Sequence, residues 1–126
     1  MREVQERGSG PILVVDDEVE VRGYLSAVLD DAGFPVRAAE SGRQARQMLR
    51  AQEFELVLMD LVMADGEGIE TIQLLRREHP DLKIIAISGA FGGSLLRAAR
   101  SLGASLTLSK PISPDELIEA VTSLLG

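Results

Sequence analysis

The chain has 126 residues, a formal charge of −7, 45% hydrophobic content and no cysteine. That is one domain with enough apolar residues for a buried core, and it excludes disulfides, thiolate metal sites and cysteine nucleophiles. The negative charge and four aromatic residues (Tyr24, Phe34, Phe54, Phe91) leave no basic surface interleaved with stacking rings, which argues against direct nucleic-acid binding.

No apolar run reaches the length of a membrane span and the N-terminus lacks a signal-peptide core, so the expected location is the cytoplasm. Residues Met1–Gly10 are polar and close on Gly8-Ser9-Gly10, the composition of a flexible tail without a site. Pro11 leads the first strand, Ile12-Leu13-Val14-Val15, where a missing N–H is tolerated. Asp17, with Glu20 three residues on, has capping-box spacing for a first helix. Tyr24, Leu25, Val28, Leu29 and Ala32 form its apolar stripe and Gly33 its stop. A short strand, Val36–Ala39, precedes a second helix that Ser41 and Gln44 cap and that turns Ala45, Met48 and Leu49 inward.

Leu56-Val57-Leu58-Met59-Asp60 is a continuous aliphatic run ending in a carboxylate, the pattern of a strand buried on both faces of a parallel sheet. Leu61–Gly68 is a loop in which Gly66 and Gly68 permit a tight course. Ile69, Ile72, Leu74 and Leu75 build a third helix that stops at His79-Pro80-Asp81, with His79 a surface loop residue; Met48 and Met63 serve packing. A fourth strand, Ile84–Ser88, runs into a second mobile loop, Gly89–Gly93. The helix on Leu95, Leu96, Ala99 and Leu102 closes on Gly103, and Leu106-Thr107-Leu108 is the fifth strand. Ser113-Pro114-Asp115-Glu116 supplies cap, first-turn proline and reciprocal glutamate for a last helix carrying Leu117, Ile118, Val121, Leu124 and Leu125. Five strands alternating with five helices predict a parallel sheet with right-handed crossovers and helices on both faces, in a single domain over residues 11–126.

Four of the strands end in polar groups: Asp16-Asp17-Glu18, Asp60, Ser88, and Ser109-Lys110. Ligands of open α/β sheets bind beyond the carboxyl ends of the strands, so parallel strands bring three aspartates, a hydroxyl and a lysine to one edge. Three carboxylates repel one another unless a cation sits among them. An oxygen-only donor set suits Mg2+, and Lys110 adds a fixed charge. Only Lys83 and Lys110 among the thirteen basic residues are lysines, so a lysine here points to a need for a compact ammonium. An aspartate neutralised in this way can act as a nucleophile and form an acyl phosphate, since phosphoryl transfer asks mainly for positioning and charge neutralisation. The plain alternatives are Asp17 as a helix cap, Ser88 as a turn residue and Lys110 as a solvated strand end. Asp60 fits such an account least, because a carboxylate at the end of a buried strand needs partners.

The segments Val14-Val15-Asp16-Asp17-Glu18, Leu58-Met59-Asp60-Leu61, Ile87-Ser88-Gly89 and Ser109-Lys110-Pro111 resemble, in order and spacing, the receiver domain of two-component response regulators. The match covers roughly residues 11 to 125. The resemblance implies a doubly wound, flavodoxin-like five-stranded parallel sheet of order 2-1-3-4-5 with five helices on both faces. It implies that Asp60 accepts a phosphoryl group from a sensor histidine kinase or a phosphotransfer protein. Asp17, Asp60 and the backbone carbonyl of Val62 would hold Mg2+ directly and Asp16 through water. Ser88 and the Gly89 N–H would bind the phosphoryl oxygens and Lys110 would pair with them, with Lys110–Pro111 cis. Ser88 and Thr107 occupy the switch positions. The fourth helix, fifth strand and fifth helix, with Arg97, Arg100, Asp115 and Glu116, would form the docking and homodimer face. Such a domain catalyses its own phosphorylation and slow dephosphorylation, with no turnover of an external substrate.

Several positions depart from the family pattern. Ala64 replaces a usual proline, Glu67-Gly68 a usual aspartate-glycine, and Thr107 a usual tyrosine or phenylalanine. Threonine suits a strand in itself, yet it removes the aromatic switch. Apolar Val62 and Ala90 flank the site and would position no attacking water, which predicts a long-lived acyl phosphate. The alternative function is a degenerate receiver that binds partners independently of phosphorylation. An external phosphatase would want a second carboxylate two residues after Asp60, where Val62 stands. No Gly-rich dinucleotide fingerprint or P-loop is present.

Overall fold

Strand β3 (Leu56–Asp60) is buried along its whole length, and the other elements are arranged around it. The computed structural model describes residues 10–63, 68–89 and 93–126. In chain order these are β1 (Ile12–Val15), α1 (Val19–Asp31), β2 (Val36–Ala39), α2 (Gly42–Ala51), β3, α3 (Gly68–Glu78), β4 (Lys83–Ser88), α4 (Gly93–Leu102), β5 (Leu106–Ser109) and α5 (Pro114–Leu125). The strands are parallel in the order β2-β1-β3-β4-β5, as the resemblance implies. Expectations for the N-terminal tail, for Ala64, Gly66 and Glu67, and for Ala90, Phe91 and Gly92 concern positions outside the described residues.

The two-residue period of the strands sorts their side chains into two cores. Leu13, Val15, Val57, Met59, Ile84 and Ala86 face α2, α3 and α4, and meet Ala45, Leu49, Ile72, Leu75 and Ala99. Ile12, Val14, Leu56, Leu58, Ile85 and Ile87 face α1 and α5, and meet Leu25, Leu29, Leu117 and Val121. Both faces of the central strands are dry, which explains their unbroken aliphatic runs.

The starts of α2 and α5 follow capping chemistry and that of α1 does not. Ser41 Oγ accepts from the Gln44 N–H at 3.1 Å. At α5 the box is complete, with Ser113 Oγ accepting from Glu116 N and Glu116 Oε1 accepting from Ser113 N. The Asp17–Glu20 box expected at α1 does not form. The helix starts one residue later, with Glu18 as an N-cap that makes no side-chain hydrogen bond, because the Asp17 carboxylate belongs to an acidic cluster with Asp16 and Asp60. The α1 stripe is also narrower than its periodicity suggests. Leu25 and Leu29 are buried with Val21 and Val28 packed beside them, whereas Tyr24 and Ala32 lie outside.

At the amino edge of the sheet, Arg76 ties α3 to α4. Its Nε and Nη2 donate to the Gly103 carbonyl at 3.1 and 2.7 Å, and its Nη1 donates to the Pro80 carbonyl at 2.8 Å. Gly103 has φ 137°, a left-handed conformation for which glycine is suited. The same edge carries an open groove of about 950 Å³ whose lining includes Phe54, Pro80, Leu82, Leu124 and Leu125. It lies at the opposite end of the strands from the polar residues singled out above.

Two glycines test the packing in opposite directions. A Cβ at Gly23, mid-helix in α1, meets nothing within 4 Å, so Gly23→Ala is expected to stabilise the fold by about 0.5–1 kcal/mol. A Cβ at Gly42 would stand 2.5 Å from Oγ1 of the buried Thr71, so Gly42→Ala is expected to destabilise by roughly 1–3 kcal/mol. Urea unfolding of both variants checks the two signs.

Candidate functional site

The strand alternation that builds the cores also delivers the site. Val14, Leu58 and Leu108 pack toward α1 and α5; counting on by two residues gives Asp16, Asp60 and Lys110. Because Val15 registers with Met59, Asp16 and Asp60 leave the sheet side by side. Carboxylate oxygens of Asp16, Asp17 and Asp60 all lie within 4.8 Å of one another. Lys110 arrives from the edge strand β5 and places Nζ 3.2 Å from Asp60 Oδ2 and 3.4 Å from Asp16 Oδ2.

Asp16 is 0% and Asp60 3% exposed, so these carboxylates depend on protein partners for solvation. Asp16 Oδ1 accepts from the Glu18 N–H at 2.9 Å, and its backbone carbonyl accepts from Arg22 Nη1 at 2.7 Å. Asp60 Oδ1 accepts from the Val62 N–H at 3.1 Å. Burial nevertheless dominates at Asp60. It pushes the carboxyl from 3.8 up to about 6, against the Val62 N–H, with the Asp16 charge adding to the rise and Lys110 opposing it. Burial acts on Lys110 in the other sense, but the Asp60 and Asp16 carboxylates outweigh it and hold the ammonium above its ordinary value. One lysine is thus shared between the Asp16 and Asp60 carboxylates. The oxygen-only donors and their close spacing fit a hard divalent cation.

Ser88 ends β4, 1% exposed, one residue past the Ile87 that registers with Asp60. Its carbonyl accepts from the Lys110 N–H at 2.7 Å. A Cβ at Gly89 would meet nothing within 4 Å, so open space adjoins the end of this strand. Val62 is 60% exposed beside the carboxylates. Thr107 registers with Ala86 on β4. The Lys110–Pro111 bond is cis. The structure therefore brings Asp16, Asp17, Asp60 and Lys110 together, sets Ser88 at the neighbouring strand end, and leaves Thr107 farther down β5. Sequence reasoning missed two donors from α1, Arg22 to the Asp16 carbonyl and Tyr24 to the Ile112 carbonyl at 2.8 Å. The position of Arg22 one turn after Glu18 was the available signal for the first; nothing local signals the second.

A parallel 2-1-3-4-5 sheet with this acidic cluster and lysine at its carboxyl edge defines a receiver. The chain belongs to the response regulator receiver domain family, whose model matches residues 12–122. It is 33% identical over 115 residues to the response regulator protein PilR of Pseudomonas aeruginosa, covering 90% of this chain and 25% of that protein. With the transcriptional regulatory protein ZraR of Escherichia coli it shares 36% identity over 106 residues, covering 84% and 24%. The chain thus spans about a quarter of the length of these relatives. The solved receiver domain of NtrX from Brucella abortus superposes with a TM-score of 0.87 at 29% identity, covering 90% of this chain and 97% of that one. The response regulator TrrA from Thermotoga maritima, solved in complex with Mg2+ and beryllium fluoride, gives 0.82 at 31% identity, covering 91% and 98%. Among the described residues, no helix is long and apolar enough to cross a membrane.

The raised Asp60 carboxyl has a stability consequence. Between 3.8 and about 6 the folded protein binds this proton more tightly than the unfolded chain. Its contribution is therefore complete below about pH 4 and is lost as pH rises through 6. Asp60→Asn removes the ionisation and is expected to stabilise the metal-free protein near pH 7.5 by about 1–2 kcal/mol, less than the full linkage because the contact with Lys110 also goes. The advantage should shrink toward pH 4. Urea unfolding in EDTA at both pH values measures it, and a variant less stable than the parent at pH 7.5 would show that the lysine contact outweighs burial.

Proposed function

We propose that this receiver domain, the unit over residues 11–126, is a phosphorylation-controlled switch with Asp60 as the phosphoacceptor. The observation that carries the reading is the shared position of Lys110, 3.2 and 3.4 Å from the Asp60 and Asp16 carboxylates, against a cluster of three aspartates. An Asp60 oxygen attacks the phosphorus of a phosphohistidine on a sensor histidine kinase or phosphotransfer protein. The P–O bond forms as the P–N bond breaks, and the imidazole leaves with the electron pair and takes up a proton. Lys110 follows the charge onto the phosphoryl oxygens, and the Ser88 hydroxyl and Gly89 N–H donate to them.

Asp17, Asp60 and the Val62 carbonyl would hold Mg2+ directly, with Asp16 acting through water; when bound, the ion neutralises charge on the transferring group. TrrA, a similar response regulator solved in complex with Mg2+ and beryllium fluoride, supports reading the acidic cluster as a Mg2+ site. Val62, 60% exposed and bonded through its N–H to Asp60, gives the charged centre an apolar neighbour suited to a protein donor. Thr107, half-buried where the family pattern implied by the resemblance has an aromatic ring, favours a second reading as an interaction module without a phosphorylation-coupled rotamer.

Incubation with acetyl phosphate and Mg2+ should add one phosphoryl mass to the intact protein, and omission of Mg2+ or the Asp60→Asn substitution should abolish it. No mass change, under conditions that modify an established receiver, would leave the interaction module as the function.

The lifetime of the product follows from Val62. An apolar, exposed side chain orients no water toward the acyl phosphate, so Val62→Asn should speed phosphate loss by roughly 3- to 30-fold. Slower loss in the variant, followed by the decay of the phosphorylated mass, would count against that account.

A further inference from the structure

The catalytic lysine is held by more than its own strand. We infer that Tyr24 is a positioning residue for Lys110: its hydroxyl fixes the Ile112 carbonyl, and with it the backbone from which the lysine reaches Asp60. This rests on the reading of Lys110 as the phosphoryl-pairing cation given above.

Tyr24 is 42% exposed, and the burial of α1 is carried by Leu25 and Leu29. Hydrophobic packing therefore does not account for a tyrosine at this position. What it does have is a hydroxyl that donates to the Ile112 carbonyl at 2.8 Å, across 88 positions of sequence. Ile112 is two residues after Lys110, and Pro111 between them restricts the backbone. The Ile112 side chain is 7% exposed in the core that includes Leu25 and Leu117. On the other side, the Lys110 N–H donates to the Ser88 carbonyl at 2.7 Å.

The segment Lys110–Ile112 is thus tied at one end to β4 and at the other to α1. A lysine has a flexible four-carbon stem, so the direction of its ammonium is only as well defined as the backbone that carries it. Arg22 treats the opposite charge in the same way, donating from α1 to the Asp16 carbonyl at 2.7 Å. The two donors lie two residues apart on one helix. Between them they hold the loop of the acidic pair and the loop of the lysine.

The sequence provides a clean readout, because Lys83 and Lys110 are the two lysines. Lysine labelled with 13C at the ε position should give two signals: a mobile one from exposed Lys83 and a restricted one from Lys110. In Tyr24→Phe, which keeps the ring, and in Tyr24→Leu, the Lys110 signal is expected to relax like that of Lys83. Phosphorylation by acetyl phosphate should slow by roughly three- to tenfold in both, the scale of one lost hydrogen bond. Mg2+ affinity, which depends on Asp16, Asp17 and Asp60, should not weaken.

Wild-type lysine relaxation and phosphorylation rate in Tyr24→Phe would overturn the inference, whatever happens to stability, and would leave Tyr24 a structural tie. So would a Tyr24→Phe variant that restores what Tyr24→Leu loses. If the parent protein takes no phosphoryl group at all, the switch function fails. The lysine relaxation of the unphosphorylated protein still decides the part played by Tyr24.

Discussion

Two buried carboxylates side by side, with one lysine between them, are the constraint on which this molecule turns. Asp16 and Asp60 are forced together by the pairing of β1 with β3, the two strands at the centre of the sheet. Neither can relieve the repulsion by turning to water, since both are almost fully buried. Lys110 has to come from β5, two strands away from β3, and reaches them only because its strand lies in the same sheet with the same side-chain parity. The outcome is a pocket in which burial and the Asp16 charge outweigh the lysine and keep the Asp60 carboxyl raised, a state that an added cation would relieve.

Much of this was legible in the chain. The unbroken Leu56–Met59 run marked a strand dry on both faces, and the strand ends then pointed to one edge. The convergence of Asp16, Asp60 and Lys110 is a consequence of period two in parallel strands, which sequence displays directly. The strand order came instead from resemblance, because periodicity does not say which strands are neighbours. Asp17 was read as a helix cap partner because local spacing cannot register a competing cluster formed with Asp60, 43 positions away in sequence. Tyr24 was assigned to the apolar stripe for a similar reason: an i, i+4 pattern counts the ring and is blind to a hydroxyl that reaches Ile112.

The two faces of the sheet carry different duties. Toward α1 and α5 lie the acids and the lysine, together with the donors that brace their loops. Toward α2, α3 and α4 the β4–β5 register sets Ala86 beside Thr107, two small side chains where a ring would occupy considerable volume. On the proposed switch function, a change at Ser88 would meet little bulk along β5, leaving its readout to backbone and helix packing. The tie from Arg76 to Gly103 holds the C-terminal end of α4 to α3. Any displacement of α4 would be smallest there and larger toward its N-terminal end, which lies at the carboxyl edge with the site.

The direction of the elements has a consequence for how the domain can be wired to a neighbour. Strands run toward the site and helices run away from it, so Ile12 at the start of β1 and Leu125 at the end of α5 both lie at the edge opposite the carboxylates. Leu124 and Leu125 line the amino-edge groove beside Phe54 and Leu82. Polypeptide joined at either position is separated from the chemistry by the length of a strand, roughly 15 Å of close-packed core. Such a neighbour is insulated from direct contact with the charged centre. On the proposed switch function, such a neighbour would sense that centre through a rigid-body shift of the helices or through a lateral surface, by mechanical leverage more than by attachment close to the site.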